Sequence, residues 1–149
     1  MKAPAETSSL ELYHKLILEH GRQPRHLRRL DAATHRGCGH NRSCGDRIDL
    51  ELNLSSGRIY DCAFEGSGCA VCMASASVLC GIVIGADEAR LRQLAADFEA
   101  MLGGGLVMDG EIGDFAALAA HPGRRKCASL SWHALLNALN HQNAPAQTE

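Results

Sequence analysis

Seven cysteines punctuate this sequence, at positions 38, 44, 62, 69, 72, 80 and 127. Two of them stand beside residues that suggest chemistry: Cys44 opens Cys44-Gly45-Asp46, and Cys69 closes Gly66-Ser67-Gly68-Cys69. Two thiolates and a carboxylate repel one another unless a cation lies between them. Zinc fills that role, taking sulfur at about 2.3 Å and carboxylate oxygen at about 2.0 to 2.2 Å in a tetrahedron. Cys44, Asp46 and Cys69 would supply three donors. Cys127, following Arg124-Arg125-Lys126, is the candidate for the fourth. The pattern lacks the paired Cys-x-x-Cys knuckles of structural zinc sites, so on chemistry alone a metal centre and a scatter of core and surface thiols both stay open.

The other thiols sort by neighbourhood. Cys69-Ala70-Val71-Cys72 is a Cys-x-x-Cys at an expected helix start, a redox-type spacing, but no thioredoxin-like pattern precedes it, and packing is the plainer role for Cys72. Cys80, eleven residues on, lies about 16 Å along that helix, too far to ligate with Cys69. Cys62 is expected in the core. Cys38-Gly39-His40 falls in an expected loop as an exposed, unengaged pair. The histidines at 14, 20, 26, 35, 121, 133 and 141 are expected on the surface.

To bring Cys44, Asp46 and Cys69 together the chain needs a hairpin, and it has one. Ile48, Leu50, Leu52 and Leu54 alternate with Arg47, Asp49, Glu51 and Asn53, the period of a half-buried strand. Cys44 and Asp46 share parity with the apolar set, so an extended backbone through Gly45 would turn both inward. Ser55-Ser56-Gly57 suits a three-residue loop, and Arg58 to Glu65 returns with Tyr60, Cys62 and Phe64 on one face. That register sets Leu50 opposite Cys62 and Ile48 opposite Phe64, and it lands Cys69 beside Cys44.

Helices account for most of the rest. Ser8 or Ser9 caps a helix over about 9–20, stopped by Gly21 and Pro24. Residues 22–43 show no period and read as a polar, basic loop whose run from Arg22 to Arg29 could dock an acidic surface or simply be solvated. Ala70 to Ile84 is a buried helix of small side chains, with Cys69 at its N-terminus, where the helix dipole favours a thiolate. Further helices are expected over about 86–102, 114–120 and 125–140, with a glycine-rich connector at 103–113.

At 149 residues the chain is one domain, 1–149, with its core at about 9–140 and a frayed tail over 141–149. Apolar residues make up 46% but aromatics only 4%, so small aliphatic side chains must fill the core. A net charge of -2 argues against nucleic-acid binding, which calls for a basic face. No stretch reaches the roughly 18 to 20 apolar residues that cross a bilayer, and Met1 to Ser9 carries no apolar leader. A cytoplasmic protein with reduced thiols is the expectation.

Four segments, in order, carry a resemblance: Ser43-Cys44-Gly45-Asp46-Arg47-Ile48, Phe64-Glu65-Gly66-Ser67-Gly68-Cys69, Met73-Ala74-Ser75-Ala76-Ser77, and Arg125-Lys126-Cys127-Ala128-Ser129-Leu130-Ser131-Trp132. With Leu12-Tyr13 to Pro24-Arg25, they resemble the U-type iron-sulfur assembly family (NifU N-terminal, IscU and SufU) over about residues 9–140. The resemblance implies an α+β fold in which a small antiparallel sheet of two or three strands packs against about five helices. Lys126 stands where IscU-type scaffolds carry histidine, and the Cys69 to Cys127 segment is longer, features similar to the SufU branch.

The SufU branch implies zinc on Cys44, Asp46, Cys69 and Cys127. It implies a sulfurtransferase role, taking persulfide sulfur from a SufS-type cysteine desulfurase whose histidine displaces Cys44 from zinc, and serving downstream iron-sulfur assembly proteins. Arg124 matches an arginine of that branch, expected to support the site or the docked partner; the plain alternative is a solvated cation near a helix start. An iron-sulfur scaffold on the same ligands and a structural zinc interaction module are the competing readings. The sequence departs from the family at Arg42, where proline is usual, and in the extra thiols Cys38, Cys62, Cys72 and Cys80.

Overall fold

The chain alternates between sheet and helix as α1 (Ser9–Arg22), β1 (His35–Asn41), β2 (Asp46–Ser55), β3 (Arg58–Ser67), α2 (Ala70–Ile82), α3 (Glu88–Leu102), a 3-10 helix (Glu111–Ala120), α4 (Pro122–Leu139) and β4 (Ala146–Gln147). This computed structural model describes residues 8–141 and 146–147. The strands form one sheet in the order β3-β2-β1-β4, antiparallel except for the short β1–β4 pair. Helices cover one face of it, as the α+β expectation has it.

α1 begins where its sequence says it should: the Ser8 hydroxyl accepts a hydrogen bond from the Glu11 N–H, satisfying one of the amides a helix start leaves open. Its inner stripe of Tyr13, Leu16 and His20 is buried. α2 is buried over almost its whole circumference, which its alanines, serines and cysteines permit because they let α1, α4 and β3 approach closely. The serines stay satisfied there: Ser75 Oγ donates to the Ala128 carbonyl and meets Ser131 Oγ at 3.2 Å. Trp132 of α4 stacks on Phe98 of α3, ring centres 5.1 Å apart, and closes the core on the side away from the sheet.

The hairpin forms, in a different register. Ser55 faces Arg58 across a two-residue Ser56-Gly57 turn, both residues at positive φ, so the loop is one residue shorter than expected. A bulge then accommodates Tyr60 as an extra residue, and beyond it Leu52 faces Cys62, Leu50 faces Phe64 and Ile48 faces Gly66. The bulge reverses the face assignment at the strand's start: Ile59 is buried, and Tyr60 is 59% exposed.

Residues 22–43 hold more structure than a loop. His35–Asn41 is an inner strand between β2 and β4. Its glycines explain both its place and its invisibility in a hydrophobic pattern: a Cβ on Gly37 would collide with the backbone of α4 at Ala134 and Ala138, and one on Gly39 with Leu130. Ahead of it, Phe64 N–H donates to the His26 carbonyl and Arg28 N–H to the Phe64 carbonyl, which covers the free edge of β3. The same segment buries Glu51, expected in solvent: its carboxylate accepts from Leu30 N–H and from Arg36. In the expected frayed tail, Ala146–Gln147 pairs with β1; 142–145 and 148–149 lie outside the described residues.

Candidate metal centre

Cys44 sits in the four-residue turn between β1 and β2, where Gly45 at φ +72° breaks the extended backbone. Parity therefore fails at that residue: Cys44 is exposed instead of turned inward, while Asp46, the first residue of β2, is 2% exposed, as the alternation requires. Asp46 lies opposite the end of β3. A Cβ on Gly68 would strike its carboxylate, so the glycine makes room for it.

Asp46 Oδ1 accepts the backbone N–H of Cys69 at 2.9 Å, and its Oδ2 lies 3.7 Å from Cys69 Sγ. Cys69 is the N-cap of α2 but makes no side-chain cap, so the carboxylate serves that helix end and the thiol stays available. Cys127 arrives from α4, fully buried, its Sγ 3.5 Å from Cys44 Sγ.

A zinc tetrahedron with bonds of about 2.3 Å has edges near 3.8 Å. The spacings of 3.5 and 3.7 Å match such edges. The ligating atoms of Cys44, Asp46 and Cys127 all lie within 4.8 Å of one another, and Cys69 stands at the edge of this trio against Asp46. The structure thus sets Cys69 beside the trio, against Asp46, while Gly45 at positive φ carries Cys44 out onto the turn. The donor set suits zinc: burial, then the hydrogen bond to Cys44 and the neighbouring Cys69, push the Cys127 thiol up, a cost that a bound dication removes.

Arg124 stands in the first turn of α4 beside Cys69 and Cys127, whose charges hold its pKa above the usual value. Arg124, Arg125 and Lys126 occupy a helix start, where the dipole disfavours cations. Arg125 answers that locally by donating to the Leu118 and Ala119 carbonyls at the end of the 3-10 helix. Arg124 instead faces the thiols.

Two neighbours escaped the sequence reading. Tyr13 of α1 is buried near Arg124, Cys69 and Cys127, its hydroxyl pKa raised chiefly by burial. Asn41, the last residue of β1, pairs with Asp46 and points its carboxamide at Cys127. Tyr13 was legible as a core residue; Asn41 lay in what read as loop.

The extra thiols stay outside this group. Cys62 and Cys80 are fully buried with sulfurs 3.2 Å apart, and Cys72 is fully buried, its pKa pushed up by burial. Cys38 is half-buried on β1. A second gathering, Glu19, His20 and Glu111, corrects the surface expectation for His20: the ring is buried, Nδ1 bonded to Ser77 Oγ and Nε2 to Glu111, both at 2.7 Å. Both ring nitrogens are engaged in tying α1 to α2 and the 3-10 helix. In the basic run, Arg28 pairs with Asp61, and Arg29 lies 3.3 Å from Glu65.

Comparison with known proteins matches residues 12–144 to the NifU-like N terminal domain. The zinc-dependent sulfurtransferase SufU of Bacillus subtilis is 36% identical over 128 residues, covering 83% of this chain and 86% of that one. The iron-sulfur cluster assembly scaffold protein IscU of Thermotoga maritima is 32% identical over 137 residues, covering 90% and 96%. Among solved structures, a SUF-system iron-sulfur cluster assembly scaffold protein from Fervidobacterium islandicum superposes with a TM-score of 0.80 at 29% identity, over 89% of this chain and 99% of that one. A NifU-like N-terminal protein from Brucella abortus, at 24% identity and TM-score 0.78 over 92% and 100%, shares the fold.

Proposed function

The chain belongs to the family of NifU-like N-terminal domains, in its SufU branch, and from that premise we propose that it takes persulfide sulfur from a cysteine desulfurase at a zinc centre and relays it for iron-sulfur cluster assembly. The observation that carries this reading is the asymmetry of the donors: Cys44 is exposed on a turn, while Asp46 and Cys127 are buried. Zinc, when bound, would be held by Cys44, Asp46, Cys69 and Cys127 and would keep their thiols ionised while masking them as nucleophiles.

Sulfur transfer needs one thiolate that can reach a partner. Cys44 is that group. Its sulfur attacks the terminal sulfur of the desulfurase's cysteine persulfide; a new S–S bond forms on Cys44 as the partner's S–S bond breaks, and the desulfurase cysteine departs as a thiolate. No external oxidant or reductant is consumed. Arg124, facing Cys69 and Cys127, supplies positive charge where anionic sulfur collects. The partner is of the SufS type, and the recipients are downstream iron-sulfur assembly proteins. The chain's seven cysteines suit a reducing cytoplasm, and no helix among the described residues is long and apolar enough to cross a membrane.

The test is metal analysis and desulfurase turnover. Protein purified without oxygen holds about one zinc per chain and stimulates a SufS-type desulfurase; Cys44→Ala abolishes the stimulation with the fold intact. Stimulation that survives the substitution removes Cys44 as acceptor. Stoichiometric iron and labile sulfide in place of zinc would favour the scaffold role that the IscU relatives' names describe.

A further inference from the structure

Asn41 has no part in the donor set, yet it is built into the wall behind it. Its side chain is 1% exposed, at the end of β1 and paired with Asp46. Its Nδ2 donates toward Cys127 Sγ at 3.9 Å, and its Oδ1 is buried with no hydrogen-bond partner. A buried amide acceptor without a partner is destabilising, because folding strips its water and returns nothing. A strand position facing the core would tolerate an apolar residue of the same size at no such cost. The contact that distinguishes asparagine here is the one to sulfur.

We infer that Asn41 is a positioning residue for Cys127, its amide N–H holding that thiolate in place as the fixed donor while the exposed Cys44 is the one free to turn toward a partner. The inference rests on the zinc reading above. An N–H donor draws charge from a thiolate, lowering its lone-pair energy and its nucleophilicity without removing it as a ligand. Cys44, on an exposed turn with open space around Gly45, meets the Cys127 sulfur on one side only.

Two substitutions of the full chain separate the donor from the packing. Asn41→Leu keeps the branched shape and Asn41→Ala removes it; the two share the loss of the carboxamide, and with it of the only group that reaches toward Cys127 Sγ from this position. Each is loaded with cobalt(II), whose thiolate-to-metal charge-transfer band reports sulfur lone-pair energy, and its zinc affinity is measured by competition with a chromophoric chelator. Both variants are expected to shift the band to longer wavelength by a similar amount and to bind zinc about 10- to 100-fold more weakly than the parent. A parent that binds zinc alongside variants with an unmoved band and unchanged affinity overturns this role for Asn41 and leaves the proposed function standing. A shift in the alanine variant alone assigns the effect to lost volume and overturns it as well. A parent that takes up no zinc overturns both readings together.

Discussion

A thiol's usefulness is set by what surrounds it, and Cys38 is the case that can be read without a metal. Burial, reinforced by the hydrogen bond and charge of the Asp49 carboxylate, pushes its pKa up to about 12. At pH 8 only about one Cys38 in 10⁴ is then a thiolate. Iodoacetamide at pH 8 should modify Cys44 in metal-free protein and spare Cys38, and Cys38 labelling should accelerate about tenfold per pH unit from 8 to 11. Asp49→Asn removes one cause of the shift and should speed that labelling. Peptide mass mapping decides it: Cys38 reacting at pH 8 as fast in the folded chain as in the denatured one would contradict the assignment. Residue type and spacing marked Cys44, Asp46, Cys69 and Cys127 as candidate donors, because sulfur and carboxylate chemistry is local to the side chain, and the family resemblance made them the expected set. Asn41 carried no such mark; its meaning comes from a sulfur 86 positions away.

Strands announce themselves through side chains, and β1 has almost none to show. His35-Arg36-Gly37-Cys38-Gly39-His40-Asn41 alternates glycine with other residues, and at Gly37 and Gly39 the face turned to α4 is bare, with Asn41 reaching toward Cys127 at its end. The glycines let a helix backbone lie directly on a strand backbone. Gly37→Ala should therefore destabilise the protein by about 3 kcal/mol or more, because the clash is with the backbone at Ala138 N, 2.6 Å from the new Cβ, and α4 cannot yield without disturbing Cys127. Gly123→Ala, with nothing within 4 Å of its Cβ in the first turn of α4, should instead be neutral or stabilise by about 0.5 kcal/mol. Urea midpoints at constant slope test the pair; equal effects would refute the close β1–α4 approach. The hairpin shows a second limit. Its existence followed from alternation, but the shorter turn and the bulge at Tyr60 each shifted the pairing by one, so that Leu50 meets Phe64 and not Cys62.

At the scale of the molecule, the candidate centre joins the β1–β2 turn and start of β2, the N-cap of α2 and the first turns of α4, elements that come from distant parts of the chain. A ligand that binds only the folded state adds about 2.7 kcal/mol when free ligand is a hundredfold above Kd. Stripping zinc with a chelator should therefore lower the melting temperature by about 5–10 °C for a domain of this size, and Asp46→Ala should lose most of that difference. Calorimetry with and without chelator measures it; a melting curve indifferent to zinc would count against a site that bridges three elements. By itself the sequence determined the family, the helices, the hairpin and the four candidate donors, since motif identity, hydrophobic period and ligand chemistry are properties of short stretches of chain. Only the tertiary structure decided which donor is exposed and which are walled in, that His20 and Glu51 are buried, and that a glycine strand and Asn41 stand behind Cys127. Those facts depend on which backbones approach closely enough to exclude water, and such approaches are made between residues far apart in the chain.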